Sequence, residues 1–171
     1  MSALHGISSL FGLLCFDEGV EPRPYQDTRG YWTVGIGHNI DANGIPAWLA
    51  FELGMGWESY SHANTDQLVA ALKSSPLSNS QIDRLYQSDL DTIMPVLSMY
   101  DVAGPVRFAA LGDMMFNLGI STFQTFTDFL SFVRAGEWAR AAQALRGTLV
   151  YRQLTSRYER LARMLETGDW P

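Results

Sequence analysis

The chain has 171 residues, which is long enough to bury a hydrophobic core and short enough to form one domain. Its 18 acidic and 12 basic residues give a net charge of −6, which disfavours a nucleic acid partner because phosphate contacts need a basic surface. The single cysteine, Cys15, excludes an internal disulfide, and no apolar run is long enough to predict a transmembrane segment.

The first predicted element is an amphipathic helix that ends at Gly19. Its apolar face is formed by residues at positions i, i+3, i+7, i+10 and i+11, which are Leu4, Ile7, Phe11, Leu14 and Cys15. Glu18 continues this stripe, which predicts a carboxyl group that faces the protein interior. Because burial disfavours the charged form, such a carboxyl can keep its proton and serve as a general acid. The alternative is a glutamate that turns outward to solvent at the helix end.

Over residues 24–38 the sequence pattern changes from the helical period to that of two β-strands joined by a turn, which predicts a β-hairpin. The turn is predicted at DTRG, residues 27–30. Asp27 occupies the first position of this turn, where aspartate is favoured because it bonds the backbone. On position alone, Asp27 is a turn residue.

The second strand of the hairpin is predicted at YWTVGIGH, residues 31–38. Alternation places Thr33, Gly35 and Gly37 on one face and Trp32 on the other, packed face. Glycine weakens a strand but permits close approach by a ligand or another backbone. The pattern predicts either a bare face that binds a ligand, with Gly35 in contact with substrate, or a bulged or crossing strand without one.

His38 also lies on the packed face, where a buried structural histidine is the favoured interpretation. Asp89 is a plausible partner, because it lies four residues after Leu85 on the apolar stripe of a later helix. A core-facing acid and a core-facing histidine would satisfy each other. The histidines lack metal-ligand spacing, so no metal and no cofactor is predicted.

From about residue 64 the pattern is helical to the end of the chain. Capping side chains predict one helix start at Asn64 or Thr65 and another at Asn79 or Ser80. Pro95 is expected to interrupt the second of these helices.

The AGP sequence at residues 103–105 is a further helix breaker. The next segment, VRFAALGDMMFNLG, is almost entirely apolar, which predicts a central helix that ends at Gly119. Three more helical segments follow it: FTDFLSFVRAG, EWARAAQALRG and LTSRYERLARMLETG.

A small β-rich part within a mostly helical chain is an α+β arrangement. We expect a single catalytic domain of residues 1–171. Within it, residues 20–78 would form a smaller lobe, and residues 1–19 with 79–171 a helical lobe, with a substrate cleft between them. The aromatic residues of the loop-rich part are expected to pack in the core rather than to stack on sugars: Trp48, Phe51, Trp57 and Tyr60.

DEG at residues 17–19, together with YxDxxGYxTVGIGH at 25–38, closely resembles the motif of the phage-type lysozymes, the muramidases of glycoside hydrolase family 24. Four further segments extend the resemblance over nearly the whole chain: QSDLD, MMFNLG, EWARAAQAL and TGDW. The resemblance implies a lysozyme-like fold. It also implies hydrolysis of the β-1,4 bond between N-acetylmuramic acid and N-acetylglucosamine.

The resemblance also implies roles for individual residues. Glu18 would protonate the leaving oxygen, while Asp27 and Thr33 would hold and polarise a water on the opposite sugar face, as in an inverting glycosidase. The implied cleft residues are Asn39, where leucine is usual, Phe116 and Asn117. The implied supporting residues are His38 paired with Asp89, and Arg157 near Glu18.

The expected role is that of a phage endolysin that acts on peptidoglycan glycan strands as a monomer. The N-terminal segment lacks the basic region of a signal peptide. We therefore expect accumulation in the host cytoplasm and holin-dependent release to the periplasm and cell wall. The alternatives are a lytic transglycosylase, a tail-associated lysozyme used in phage entry, and a peptidoglycan-binding module without catalysis.

Overall fold

A computed structural model describes residues 7–56, 64–102 and 104–171. The predictions for Leu4, Trp57 and Tyr60 fall outside the described residues. The chain divides into two compact units: the described residues up to Asp17 with Thr92–Pro171 form the first, and Glu18–Asp91 form the second. The fold is mostly helical with one small antiparallel sheet, which confirms the predicted α+β class. Among the described helices, none is long and apolar enough to cross a membrane.

The sheet lies in the second unit and has three antiparallel strands in the order β1-β2-β3. The strands are β1 (Glu21–Gln26), β2 (Trp32–Gly35) and β3 (His38–Asn39). Thr33 pairs with Tyr25 on β1 and with Asn39 on β3. Because residues directly opposite each other share a face, Tyr25, Thr33 and Asn39 form a row on one side of the sheet.

The prediction of one continuous strand over residues 31–38 is wrong. The chain turns between β2 and β3, and Gly35 and Gly37 have φ values of +67° and +68°. Only glycine adopts this region without strain, so the two glycines serve the turn. Within β2 the predicted alternation holds, because Thr33 pairs with Asn39 and Val34 pairs with His38. The Thr33 face is nevertheless not bare, because Thr33 is buried as well as Val34 and Ile36.

Within residues 40–56 and 64–98, four helices follow the sheet. They are α2 (Ile40–Asn43), α3 (Ala47–Glu52), α4 (Thr65–Ser74) and α5 (Asn79–Ser98), the last of which continues into the first unit. Asn64 precedes α4, as predicted. Before α5, the Gln81 amide donates to Ser78 Oγ at 3.3 Å and the Ser78 amide donates to Gln81 Oε1 at 2.9 Å. This reciprocal cap makes Ser78 the capping residue, so the prediction of Asn79 or Ser80 is wrong.

Pro95 lies inside α5 and does not end it. A proline in a helix interior removes one backbone hydrogen bond and normally costs about 3 kcal/mol. Ile93 and Leu97 flank Pro95 and are 7% and 0% exposed. Burial of these side chains offsets the cost and carries the helix to Ser98, which corrects the predicted break.

The first unit contains the remaining helices. They are α1 (Leu10–Glu18), α6 (Pro105–Leu118), α7 (Ile120–Gln124), α8 (Thr127–Arg134), α9 (Trp138–Arg146), α10 (Leu149–Gln153) and α11 (Thr155–Thr167). Most of α6 is buried, which confirms its central position, and it ends before Gly119, which has a φ of +75°.

Helix α1 packs on α6 without a gap. A side chain at Gly112 would place its Cβ 2.9 Å from Leu10 Cδ2, so the Leu10 side chain would have to shift to admit it. Leu13 and Leu14 are fully buried, whereas Phe11 is 44% exposed. The predicted stripe is therefore wrong at Phe11, because LFGLLCF has apolar residues on every side and its periodicity does not define one buried face.

Candidate active site

Glu18 is the last residue of α1 and is half-buried. Gly37 lies directly against it: a Cβ at Gly37 would be 3.0 Å from both Cγ and Oε2 of Glu18. Gly37 is therefore required twice, for its positive φ and for the space that the Glu18 side chain occupies. The sequence pattern related Gly37 to a bound ligand. In the structure, the space beside Gly37 is instead occupied by the side chain of Glu18, the predicted general acid.

Asp27 opens the hairpin turn, as its position predicted. Its backbone oxygen accepts from the Gly30 amide at 2.9 Å, and its Oδ1 accepts from the amides of Arg29 and Tyr31 at 2.8 and 2.9 Å. Its Oδ2 lies 3.7 Å from Arg29 Nε, and the side chain is 24% exposed. The turn contacts and the predicted catalytic role are compatible, because the backbone fixes one oxygen and thereby orients the carboxylate.

Tyr25 received no role from the sequence, yet it connects the candidate catalytic residues. Burial and then the negative charges of Glu18, Glu21 and Asp27 raise the pKa of its phenol. Tyr25 is also the β1 partner of Thr33. The charges of Glu18 and Asp27 therefore both act on the tyrosine that pairs with Thr33, within the second unit. The sequence signal that could have identified this residue is the position of Tyr25, two residues before Asp27 and within the motif YxDxxGYxTVGIGH.

Thr33 is 5% exposed, and its Oγ1 donates to the Tyr31 carbonyl at 3.3 Å. Its strand partner Asn39 caps α2, because Asn39 Oδ1 accepts from the Ala42 amide at 2.9 Å. The cap contact was not predicted for Asn39. The proposed contacts of these residues with substrate stay predictions.

Gly35 faces α5 rather than the row of polar side chains. A Cβ at this position would lie 3.6 Å from Leu85 Cδ2 and 3.9 Å from Ile82 Cγ2, both at ordinary contact distance. Its predicted contact with substrate finds no counterpart in these apolar surroundings and stays a prediction. The turn explains why glycine is needed here.

His38 and Asp89 are in contact in the structure. His38 is 4% exposed, with Nδ1 2.8 Å from Asp89 Oδ1 and Nε2 2.8 Å from the Gly44 carbonyl. A carboxylate and a carbonyl both accept, so both ring nitrogens donate and the imidazole is charged. Burial alone would lower the pKa of His38, but the hydrogen bond and charge of Asp89 and the Gly44 carbonyl raise it above 6.5.

The other predicted site residues belong to the first unit. Phe116 and Asn117 are half-buried near the end of α6, and Asn117 Oδ1 accepts from the Tyr158 hydroxyl at 3.0 Å. Arg157 Nε donates to Asp113 Oδ1 at 2.8 Å and lies 3.9 Å from Asp17 Oδ2. Its predicted approach to Glu18 stays a prediction.

The aromatic residues of the loop-rich part do not share one environment. Phe51 is 82% exposed, so the expectation of core packing is wrong for it. Trp48 is half-buried, with the Arg84 guanidinium 4.1 Å from its ring centroid. The difference follows from α3, which buries Leu49 and Ala50 and turns Phe51 outward.

A cavity of about 540 Å³ lies in the second unit on the Trp32 side of β2. Its lining is formed by Gly30, Trp32, Asp41, Asn64, Thr65, Asp66 and Gln67. Since neighbouring strand residues point to opposite faces, this cavity is separate from the row that contains Thr33. Trp32 itself is half-buried beside this cavity, whereas Val34, Ile36 and His38 of the face that was predicted to be packed are buried, so that prediction fails only at Trp32. Within the described part of the chain, no cluster of three potential metal ligands occurs.

The sequence matches the family model described as Phage lysozyme over residues 16–157, a range that includes Glu18, Asp27 and Thr33. The chain belongs to the phage lysozyme family. This confirms the resemblance and identifies the chain as a lysozyme, a muramidase-type hydrolase.

Relatives of this lysozyme come from a eukaryote and from a phage. It is 26% identical over 164 residues to "Probable T4-type lysozyme 1" and 29% identical over 173 residues to "Probable T4-type lysozyme 2", both of Dictyostelium discoideum. Each alignment covers 95% of this chain and 96% of the relative. It is also 26% identical over 170 residues to "Pre-baseplate central spike protein Gp5" of Enterobacteria phage T4, covering 94% of this chain and 28% of that protein.

Proposed function

We propose that this lysozyme hydrolyses the β-1,4 bond between N-acetylmuramic acid and N-acetylglucosamine in peptidoglycan, with inversion at the anomeric carbon. The observation that carries the proposal is one hairpin that carries Asp27 in its turn and Thr33 on its second strand, with Gly37 after that strand lying directly against Glu18. Membership of the phage lysozyme family supports the same substrate class.

In this proposal Glu18 is the general acid. It gives its proton to the glycosidic oxygen as the bond to the anomeric carbon breaks. Asp27 takes a proton from a water that attacks the opposite face of the sugar, and the Thr33 hydroxyl orients that water. One turnover leaves Glu18 ionised and Asp27 protonated, and exchange with solvent restores both.

The local contacts of Asp27 suit this role. The amides of Arg29 and Tyr31 hold Oδ1, so the carboxylate cannot rotate away from the strand that carries Thr33. A fixed carboxylate is expected to act as a better general base, because orientation is part of the catalytic effect. Gly37 restricts Glu18 in the same way, by direct packing against its side chain.

The test is a digest of purified Gram-negative peptidoglycan, with products identified by mass spectrometry. Reducing N-acetylmuramic acid ends are expected from the unmodified protein. Glu18→Gln is expected to lower the rate by about 10² to 10⁴ because it removes the transferable proton. Asp128→Asn, in an exposed part of α8, is the matched control and should retain full activity.

Other products would point to the alternatives. Anhydro-muramic ends would establish a lytic transglycosylase and leave Asp27 and Thr33 without their proposed roles. Binding to peptidoglycan without any cleavage would establish a binding module. The anomer released at the first turnover, identified by NMR, decides between inversion and retention.

We also propose that the protein acts in host lysis as an endolysin and a monomer, with holin-dependent passage from the cytoplasm to the cell wall. The similarity to a central spike protein favours a second candidate, a lysozyme that works in phage entry. Expression in a Gram-negative bacterium with and without a holin checks the first role. Lysis that does not depend on the holin would contradict it, and recovery of the protein in purified phage particles would support the second.

A further inference from the structure

The cavity beside Trp32 has no role in the proposed reaction. Its volume of about 540 Å³ lies within the range of about 300 to 1,000 Å³ that small-molecule sites occupy. Gly30 lines it and also closes the turn that Asp27 opens, because the Gly30 amide donates to the Asp27 carbonyl at 2.9 Å. The cavity therefore adjoins the hairpin that carries the proposed catalytic residues, on the side of β2 opposite to Thr33.

One wall of the cavity is Trp32, and two contacts hold this residue in place. The Trp32 amide donates to Asp41 Oδ2 at 2.6 Å, and Lys73 Nζ lies 4.3 Å from the centroid of the indole ring. The Lys73 backbone is fixed in turn, because Arg23 Nη1 donates to its carbonyl at 2.8 Å. A ring that is already held binds a ligand at little cost in entropy, and the C–H faces of sugar rings pack on aromatic surfaces.

The other walls of the cavity are polar. Carboxylates come from Asp41 in α2 and Asp66 in the first turn of α4, and carboxamides come from Asn64 and Gln67. A carboxylate only accepts hydrogen bonds, whereas a carboxamide donates and accepts them. Because a hydroxyl group also donates and accepts, this lining is complementary to a ligand that carries several hydroxyl groups.

The charges around the cavity favour a ligand without charge. Two carboxylates line it and, among the described residues that do so, none is basic, which disfavours an anion. Residues 18–91 contain ten acidic and four basic side chains, so the second unit carries the whole net charge of −6 and also repels anions at longer range. A second cation at Trp32 is disfavoured, because the Lys73 ammonium group already lies over the ring.

We propose that this cavity binds an N-acetylglucosamine unit of the cell-wall glycan and is an accessory site that retains the enzyme on its substrate. The choice of this sugar rests on the proposed function, whereas the walls themselves select any neutral sugar. Trp32 packs on the sugar ring, while Asp66 and Gln67 bind its hydroxyl groups. Since Thr33 lies on the other side of β2, the bound unit is not the one that is cleaved. Binding there raises the local concentration of glycan around the catalytic residues.

An NMR titration of the full-length Glu18→Gln protein with N,N′-diacetylchitobiose tests the proposal, because this neutral disaccharide of N-acetylglucosamine is not consumed. The indole N–H of Trp32 and the amides of Gly30 and Gln67 are expected to shift together, with one Kd. Shifts confined to the row that contains Thr33, or no shifts at all, would overturn the proposal.

Gln67→Ala is expected to raise the Kd measured at the Trp32 indole by about fivefold, because one hydrogen bond to the sugar is lost. Gln87→Ala is the matched control, since Gln87 is an exposed glutamine in α5 of the same unit and does not line the cavity. It should leave the Kd unchanged. Equal values in the two variants would overturn the proposal. Both substitutions are at exposed helical positions, so the comparison does not depend on a variant of Trp32 that might fail to fold.

Two charged probes test the selectivity of the cavity. Chitobiose without its acetyl groups carries two ammonium groups, and N-acetylmuramic acid carries a carboxylate. Both should bind at the Trp32 indole more weakly than the neutral disaccharide. Equal or tighter binding of either probe would overturn the proposal, because the cavity would then be an ion site.

The titration does not depend on cleavage. If the protein releases no products from peptidoglycan but the Trp32 indole responds to the neutral disaccharide, the proposed function fails and the accessory site stands. If products appear and the Trp32 indole does not respond, only the accessory site fails.

Discussion

Among the residues that the structure describes, each compact unit contains one buried ionic cluster, and the two clusters are balanced in different ways. In the second unit, His38 lies between a carboxylate and a carbonyl, so one cation meets two acceptors. In the first unit, Asp113 and Asp17 are each paired with a guanidinium group, from Arg157 and Arg160. A buried charge is tolerated only when its neighbours compensate it, here by acceptors around one cation in the second unit and by opposite charges in the first.

Both clusters lose stabilising free energy as pH rises, but in different pH ranges. The pKa of Asp113 is raised from 3.8 to about 6, so its protonation stabilises the fold fully below 3.8 and this contribution is lost as pH approaches and passes 6. The shift corresponds to about 2 to 3 kcal/mol. The pKa of His38 is raised above 6.5, so its contribution is complete below 6.5 and is lost as pH rises through the folded value.

Arg157→Met is expected to have the largest effect on stability. Arg157 is 10% exposed and is the direct partner of Asp113, so its removal leaves a buried carboxyl pair without its main counter-charge. Loss of one partner from a buried ion pair costs about 3 to 5 kcal/mol in free energy of unfolding. Urea unfolding at about pH 7 measures the loss.

Arg140→Met is the matched control. Arg140 lies in α9, is 63% exposed and pairs with Glu137, which immediately precedes that helix. An exposed pair of this kind contributes less than about 1 kcal/mol. An equal loss in the two variants would mean that the cluster in the first unit is hydrated and that the contrast between the units is wrong.

His38→Ala is expected to cost about 2 to 4 kcal/mol, because it leaves the Asp89 carboxylate and the Gly44 carbonyl without their donor. The loss should be smaller than for Arg157, since the Asp89 side chain is 19% exposed and can regain water. Activity per folded molecule should persist. The loss should also shrink as pH rises above 6.5 and through the folded-state pKa of His38, because the histidine contribution fades there.

For His38→Ala, thermal melts measure the loss of stability, and initial rates on peptidoglycan measure the activity per folded molecule. Unchanged melting with abolished activity would make His38 a catalytic residue and would contradict the structural role. A loss of stability that does not depend on pH would show that the ring is neutral in the fold.

The sequence predicted the helical framework better than it predicted the turns. Helix α6 was evident because its apolar residues extend over the whole length between a proline and Gly119. Pro95 and YWTVGIGH were misinterpreted, because tertiary burial carries a helix through a proline and positive φ values turn a chain within an apparently continuous strand. Neither effect is visible in local periodicity.

The contrast between the clusters also explains which contacts the sequence predicted. An isolated histidine and an acid on an apolar stripe are complementary, so the pairing of His38 with Asp89 is predictable from the sequence alone. Asp113 gave only the weaker signal of an acid within an apolar helix. Its neighbours are another acid and two arginines from helices distant in sequence, and only the fold brings them together.

Asn39 is uncharged, so a substitution there is a pH-independent reference for substitutions in the two ionic clusters. Its loss is also expected to have the smallest effect on stability. Its Oδ1 caps α2, so Asn39→Ala should cost about 1 kcal/mol, independent of pH, by thermal melting. Thr148→Ala, which removes the equivalent cap on α10, is the matched control and should cost a similar amount.

Asn39→Asp sharpens the test, because it keeps the capping oxygen and removes the amide donor. If Asn39 only caps the helix, Asn39→Asp should keep both the stability and the KM for peptidoglycan. If the side chain also donates to a sugar, KM should rise by about tenfold while the melting temperature stays the same, since one lost hydrogen bond costs about 1 to 1.5 kcal/mol. A fall in stability equal to that of Asn39→Ala would mean that the amide nitrogen, and not the capping oxygen, is what the fold requires.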